Sequence, residues 1–230
     1  MKTLSKILTI GLIISLFSAY GKNNDLVARW DVIVEEASEI EDEPFVVQLE
    51  DKVDGVIING IRWATRNVDA PGTFAESPES SGMLFQWNRR VGWSSTNPIV
   101  NSDGETVWDD SMPTGTKWYA ENDPCPEGWR VPTSEELFSL TRASSSDFTY
   151  NDVRGRVFGT APYQIFLPFV GTRGWQYGCL PIPEVHGIGG NYWSSSSQQY
   201  SGARSLRLLF ALMDNSHRVA GLSIRCVAKD

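Results

Sequence analysis

Histidine and cysteine are scarce in this sequence, and their scarcity narrows the chemistry that the chain offers. The 230 residues include two histidines and three cysteines. His186 and His217 do not stand at the spacing of a metal site, and no C-x-x-C pair or Cys/His cluster is present. No G-x-S-x-G motif surrounds the serines at 194–197, which we interpret as a turn after a buried Trp193. We therefore expect no catalytic residue, no metal site and no cofactor.

A basic surface is also lacking. The net charge is −8 and the pI is about 4.9, and no patch of lysine and arginine stands out. The sequence therefore excludes nucleic acid as a partner. Two acidic segments, "VWDD" at 107–110 and "NDP" at 122–124, favour solvated loops. Their carboxylates leave cation binding open as the alternative.

Long hydrophobic runs are absent as well. The apolar run 7–17 is shorter than the ~20 residues that span a bilayer. With two lysines ahead of it, the run predicts a signal peptide over 1–21, cleaved after Gly21. Tyr20 stands where a bacterial lipoprotein would carry its lipid-bearing cysteine. We expect an exported chain at the cell surface, at the outer membrane or secreted; a lipid anchor or a retained membrane anchor is the alternative.

An exported chain meets an oxidising compartment, so three cysteines predict one disulfide and one free thiol. We favour the pair Cys125–Cys226, which leaves Cys179 free. This bond would tie the chain end to its middle across about 100 residues, worth roughly 4–5 kcal/mol in the loop-entropy model. Three reduced, buried cysteines are the alternative.

The rest of the chain divides into two parts. Residues 22–54 are acidic and predict a stalk or a short strand extension, and residues 55–230 predict one domain. Asn59-Gly60 between apolar runs predicts a hairpin. Thr133 followed by Glu136 is a capping box that predicts the start of a helix carrying Leu137 and Leu140 on one face.

Many short strand-like segments surround this helix. Residues 157–170 predict a strand pair, and 204–213 and 221–228 predict the two final strands. Segments 69–116 and 171–191 are rich in glycine and proline and predict long loops. The chain is therefore α+β: a mainly antiparallel sheet with one or two helices and long irregular loops.

The segment 204–213 has an unusual alternation. One face of the predicted strand is apolar: Leu206, Leu208, Phe210 and Leu212. The opposite face is mixed: Arg207, Leu209, Ala211 and Met213. A central strand packed on both sides explains this pattern, and so does a strand that displays its mixed face to a ligand.

Five motifs that together resemble those of a known family occur in this order along the chain: "INGIRWATRNV", "GMLFQWNR", "CPEGWRVPTSEEL", "NYWSSS" and "GLSIRCV". Over residues 55–228 the chain resembles the Fibrobacter succinogenes major paralogous domain family, which is abundant in exported proteins of Bacteroidetes. The resemblance implies a C-type-lectin-like fold of the formylglycine-generating-enzyme subgroup. Some proteins with this ending are variable proteins of diversity-generating retroelements, whose diversified residues bind varied ligands.

The resemblance implies that one set of side chains points into the scaffold: Ala203, Leu206, Leu208, Phe210, Leu222, Ile224 and Cys226. It implies that another set faces a ligand, partly from the turn expected at 214–219: Gln198, Gln199, Tyr200, Ser201, Arg204, Arg207, Leu209, Ala211, Met213, Asn215, Ser216, His217 and Arg218. The expected partner is a protein or glycan on another cell, a phage or a host surface. One alternative is a fixed-specificity adhesin or fimbrial tip component, and another is a surface enzyme of the formylglycine-generating type.

Overall fold

A computed structural model describes residues 55–180 and 189–229. All of them belong to one compact unit. The predicted signal peptide, the acidic stalk and His186 lie outside the described residues. Among the residues that the structure describes, no helix is both long and apolar enough to cross a membrane.

The described chain is built from short strands and one α-helix. The strands in the first half are β1 Val56–Ile58, β2 Ile61–Trp63, β3 Leu84–Phe85, β4 Gly92–Trp93 and β5 Trp129–Arg130. The α-helix is α1, Ser134–Thr141. The remaining strands are β6 Ser145–Tyr150, β7 Val153–Thr160, β8 Tyr163–Pro168, β9 Asn191–Ser197, β10 Gly202–Arg207, β11 Leu212–His217 and β12 Val227–Ala228. Short 3₁₀ turns lie at Ala120–Asn122 and Leu208–Phe210.

These strands form four antiparallel sheets. Their strand orders are β1-β2-β12-β5, β11-β10-β9, β6-β7-β8 and β3-β4. Strand β12 lies between β2 and β5, so the end of the chain is inserted beside its first hairpin. The predicted α+β class with mainly antiparallel sheets is confirmed.

Two predictions of local structure are confirmed: the first hairpin and the start of the helix. Strands β1 and β2 pair around Asn59 and Gly60, which have φ angles of 51° and 80°. Asparagine and glycine tolerate this left-handed backbone, and a two-residue hairpin loop requires it. The capping box of α1 is also present: Thr133 Oγ1 accepts from Glu136 N, and Thr133 N donates to the Glu136 carboxylate.

The prediction for the C-terminal part of the chain is wrong in four places. One is the strand expected over 221–228, of which only Val227–Ala228 is a strand. The strand expected over 204–213 ends at Arg207, because a 3₁₀ turn and a left-handed Ala211 reverse the chain there. Residues 214–217 are part of strand β11 rather than a turn. The serines at 194–197 belong to strand β9 rather than to a turn. Residues 202–217 therefore fold back on themselves as a hairpin, with Arg207 opposite Leu212.

The sheet β11-β10-β9 contacts a hydrophobic core on each face. Leu206 and its cross-strand partner Met213 join a core that also contains Leu137 of the helix. Ala203 and Trp193 join a second core, which is rich in tryptophan. Packing on both faces therefore accounts for much of the mixed alternation in this segment.

Two of the side chains expected to point inward do not. Phe210 and Leu212 are exposed because the chain reversal carries both of them to the end of the hairpin. Ala203, Leu206, Leu208, Leu222, Ile224 and Cys226 are buried, as expected.

A disulfide lies within the second core. Cys125 and Cys226 are bonded, with their Cα atoms 6.2 Å apart, and both are buried. The predicted pairing is therefore present, and Cys179 is an exposed free thiol. Closing a loop of this length restricts the unfolded chain and so stabilises the fold.

Alanine substitutions in and beside this hairpin should lower the free energy of unfolding by very different amounts. Leu208→Ala removes a fully buried side chain and should lower the free energy of unfolding by about 2–5 kcal/mol. Arg207→Ala, at an exposed position, should change it by less than about 0.5 kcal/mol. Met213→Ala should fall between them because Met213 packs partly on the core. Urea unfolding of the three variants measures this order, and equal losses would contradict the packing described.

Candidate ligand-binding surface

The residues predicted to face a ligand differ widely in exposure. The exposed members are Gln198, Gln199, Tyr200, Arg207 and Asn215. The partly exposed members are Ser201, Arg204, Leu209, Ala211, Met213, Ser216 and His217. Leu209, Ala211 and Met213 pack against the core that contains the helix, so they belong more to the scaffold than to its surface.

Arg218 was predicted to face a ligand, but its side chain is buried. Its guanidinium lies over the Trp87 ring, 4.4 Å from the ring centre. It donates to the backbone carbonyls of Gly202 at 2.9 Å, Gly115 at 2.9 Å and Gln198 at 3.2 Å. Burial lowers the pKa of this guanidinium from its ordinary value. Arg218 therefore supports the surface from below and does not present its charge to a ligand.

Two of these carbonyls belong to the turn 198–202, which connects β9 to β10. Gln198 N donates to Gly202 O at 3.1 Å, and Arg218 N donates to Ser201 O at 2.9 Å. Arg218 thus holds the turn through both its backbone and its side chain. At the tip of this turn, Tyr200 is 94% exposed and has a φ of 59°.

Cross-strand pairs fix the polar side chains of the hairpin. Arg207 lies 3.4 Å from Asp214 and also lies over the Phe210 ring. Arg204 donates to Asn215 Oδ1 at 3.3 Å. Such exposed pairs contribute little to stability, typically below about 1 kcal/mol. Their side chains can therefore change without loss of the fold.

The turn 174–179, which the sequence prediction missed, contacts this surface. Trp175 stacks on His217 with 4.8 Å between the ring centres and 30° between the ring planes. Trp175 is 48% exposed, and nearby Tyr177 is 80% exposed. The segment 171–191 was predicted only as a loop. Two aromatic residues within a short polar stretch next to glycine were the available signal, but no spacing rule relates Trp175 to His217.

The turn 174–179 is held by another buried arginine, Arg173. Arg173 donates to Gly178 O at 2.6 Å, to Ser94 O at 2.7 Å and to Thr96 O at 2.5 Å. Gly174 N closes the turn by donating to Cys179 O at 2.8 Å. A Cβ on Gly178 would lie 2.5 Å from the Trp108 ring, so this close approach requires glycine.

The tyrosines of the two turns share an uncommon backbone conformation. Tyr177 and Tyr200 both have a φ of 59°, and each follows a glutamine. A left-handed backbone is costly for a bulky residue and persists where the surrounding contacts impose it. The buried arginines supply such contacts in both turns.

His217 joins the two turns and is held in a defined state. Its Nδ1 accepts from Val219 N at 3.3 Å. Partial burial lowers its pKa from the ordinary value, which favours the neutral ring at pH 7. A neutral imidazole has one acceptor and one donor nitrogen, so Nε2 is the donor. The ring therefore contributes to the surface as an uncharged aromatic group.

The acidic segments do not assemble a cation site among the described residues. No group of three or more His, Cys, Asp or Glu side chains there is close enough to hold a metal ion. Asp109 contacts Arg89 and accepts from Ser111 N at 3.0 Å. Asp123 accepts from the backbone of Cys125 and Val131. These carboxylates order loops.

Comparison with known protein families, with curated proteins and with solved structures finds no match to this chain.

Replacing the two tyrosines that have a left-handed backbone should stabilise the fold. Asparagine tolerates a left-handed backbone, so Tyr177→Asn and Tyr200→Asn should each raise the free energy of unfolding by up to about 1 kcal/mol. Tyr163→Asn is the matched control, because Tyr163 is an exposed tyrosine within strand β8. Chemical unfolding measures the differences, and variants at 177 and 200 that gain no stability relative to the control would show that the two turns are unstrained.

Proposed function

We propose that this chain is an exported, surface-associated ligand-binding protein with a C-type-lectin-like scaffold. Its C-terminal hairpin and the adjoining turns form the binding face, and this face is diversified by a retroelement. The ligand is a protein or a glycan on another cell, a phage or a host surface. The observation that carries the proposal is the division between buried side chains that fix the backbone and exposed side chains that do not.

Contacts among the five motifs support the scaffold assignment. Trp193 of "NYWSSS" donates through Nε1 to Phe85 O of "GMLFQWNR" at 2.6 Å. Cys125 and Cys226 join "CPEGWRVPTSEEL" to "GLSIRCV". These residues are buried. The motifs thus specify a scaffold by contacting one another.

Arg225 extends this network to the first motif. It is fully buried and donates to Asn67 Oδ1 at 2.8 Å and to Ala64 O at 3.2 Å. It also donates to Phe166 O at 3.0 Å, which connects it to strand β8. Burial lowers the pKa of Arg225 to about 10. Such a charge is tolerated inside a protein only when its donors are satisfied, so substitution here should disrupt the fold.

The exposed side chains suit a binding face of changing specificity. Tyrosine and tryptophan offer rigid contact area, while serine, asparagine and glutamine offer adaptable hydrogen bonds. Tyr200, Gln198, Gln199 and Asn215 are exposed in the described structure, and their side chains are not part of either core. Substitution at such positions usually changes stability by less than about 0.5 kcal/mol. A surface of this kind can vary while the fold persists.

The cysteine arrangement favours binding over the formylglycine-generating alternative. That activity uses a pair of cysteines to hold copper, whereas Cys125 and Cys226 are bonded to each other. Cys179 is then the single remaining thiol of the three cysteines. The fixed-specificity adhesin differs from the proposal only in that its binding face would be constant.

Sequencing the gene from many cells of the source population tests diversification. We expect the codons for exposed residues between 198 and 217 to vary, while those for Leu206, Leu208 and Cys226 stay constant. A near-copy of this region should lie just downstream and differ only at adenines. A uniform gene without such a template would contradict diversification and favour the fixed-specificity adhesin.

A matched pair of variants tests the display mechanism itself. Replacing Gln198, Gln199 and Asn215 together by alanine should leave the Tm within about 2 °C, because none of them is buried. The single change Arg218→Ala should lower the Tm by several degrees, since it removes a buried cation whose donors hold the turn. If the triple variant melts lower than Arg218→Ala, the division between scaffold and surface is wrong.

A further inference from the structure

The two turns beside the hairpin share one construction. The first, 174–179, presents Gln176 and Tyr177, and the second, 198–202, presents Gln199 and Tyr200. Neither turn contains lysine, arginine, aspartate, glutamate or histidine. The groups that both turns offer to a ligand are therefore mainly aromatic rings, amides and hydroxyls, and the turn 174–179 adds the Cys179 thiol.

These turns are joined into one surface through His217. Trp175 of the first turn stacks on the His217 ring, and His217 pairs across the hairpin with Gly202 of the second turn. The indole remains half exposed although His217 contacts it. We call the surface formed by Trp175, Tyr177, Tyr200 and His217 the aromatic platform.

Hydrogen bonds from buried side chains hold the backbone of both turns without any ligand. Arg173 is buried beneath the first turn and Arg218 beneath the second, and each donates to a backbone carbonyl of its turn. A preorganised site avoids the entropy cost of ordering loops on binding. This matters most for a small, hydrated ligand whose individual contacts are weak.

The size and the neutrality of the platform together indicate a class of ligand. A stable interface between folded proteins needs about 20–30 residues a side, far more than two short turns provide. An aromatic face is electron-rich and attracts the weakly positive C–H groups of a pyranose ring. Side-chain amides both donate and accept hydrogen bonds, as sugar hydroxyls do. An acidic or basic ligand would find no charged partner within the two turns, because Arg173 and Arg218 are buried beneath them and donate to backbone carbonyls.

We infer that the aromatic platform binds pyranose rings of a neutral glycan by stacking, without a metal ion. Trp175 supplies the principal stacking face, the two tyrosines flank it, and the amides of Gln176 and Gln199 contact sugar hydroxyls. This inference rests on the proposed function, in which the same region of the molecule is a ligand-binding face.

An array of immobilised glycans tests the inference on the whole chain. The array carries neutral oligosaccharides ending in glucose, galactose, mannose or an N-acetylhexosamine, beside sialylated and sulfated glycans and unglycosylated proteins. Binding is measured in EDTA, and the affinity for each glycan that binds is then measured by isothermal titration calorimetry. We expect at least one neutral glycan to bind. Trp175→Ala and Tyr200→Ala should each weaken it at least tenfold.

The matched control is Phe138→Ala, which removes an exposed aromatic side chain on helix α1. It should leave the affinity within twofold. Tyr200 is almost fully exposed, so Tyr200→Ala keeps the test valid even if Trp175→Ala loses stability.

Three outcomes would overturn the inference. These are binding to no neutral glycan, binding that Trp175→Ala leaves unchanged, and binding that requires a metal ion or an acidic sugar. Binding to the unglycosylated proteins, abolished by Trp175→Ala, would make the platform a protein-docking surface instead. If glycan binding fails while the triple surface variant keeps its Tm and the codons vary, the glycan assignment fails and the proposed function stands.

Discussion

Buried arginine side chains are the constraint on which the rest of this structure depends. A guanidinium group has five N–H donors, and removing it from water is costly unless those donors find acceptors. Arg225 is satisfied at the centre of the domain, where its donors meet an amide oxygen and backbone carbonyls. Tyr192 lies beside it, and burial raises the pKa of this phenol to about 12. The acceptors must be correctly placed before these groups can be buried, so the arginines fix the paths of the segments around them.

Arg173 and Arg218 apply the same constraint at the surface. Each is buried under a short turn: Arg173 donates to one backbone carbonyl of its turn and Arg218 donates to two. The acceptors within the two turns are main-chain oxygens, so the side chains of the turn residues take no part in these contacts. This arrangement separates the backbone, which is fixed from below, from the side chains, which are exposed above. A binding protein that changes its specificity needs this separation, and the proposed diversified face relies on it.

In the sequence, the alternation of 204–213 fits either a strand packed on both sides or a strand that displays one face to a ligand. The hairpin β10–β11 shows why both explanations fit. Part of it reflects a sheet packed on both faces, which is why Leu209, Ala211 and Met213 contact a core. Arg207 and Leu212 lie at the open end of the hairpin, where the chain reverses through a 3₁₀ turn. The alternation rule assumes a continuous strand, and the reversal at Leu208–Phe210 breaks that assumption. Buried and exposed positions therefore occur in the same hairpin, and the proposed display uses only the exposed ones.

Local signals in the sequence predicted local structure well. Asn59-Gly60 marked a hairpin and Thr133 with Glu136 marked a helix start, because the deciding interactions lie within a few residues. The disulfide was predicted from the expected export and from the positions of the cysteines. The burial of Arg218 and the stacking of Trp175 on His217 could not be predicted in this way. Both depend on residues far apart in sequence, and an arginine in a polar turn is read by default as exposed.

Amide hydrogen exchange of the turn 198–202 tests the central claim most directly. In the wild-type chain the Gln198 amide, which donates to Gly202 O, should be protected from exchange. In Arg218→Gln this protection should fall at least tenfold, while the Gly174 amide of the other turn keeps its own. A Gln198 amide that exchanges at the unprotected rate in the wild type, or equally fast in both chains, would contradict the claim that buried arginines hold the binding face.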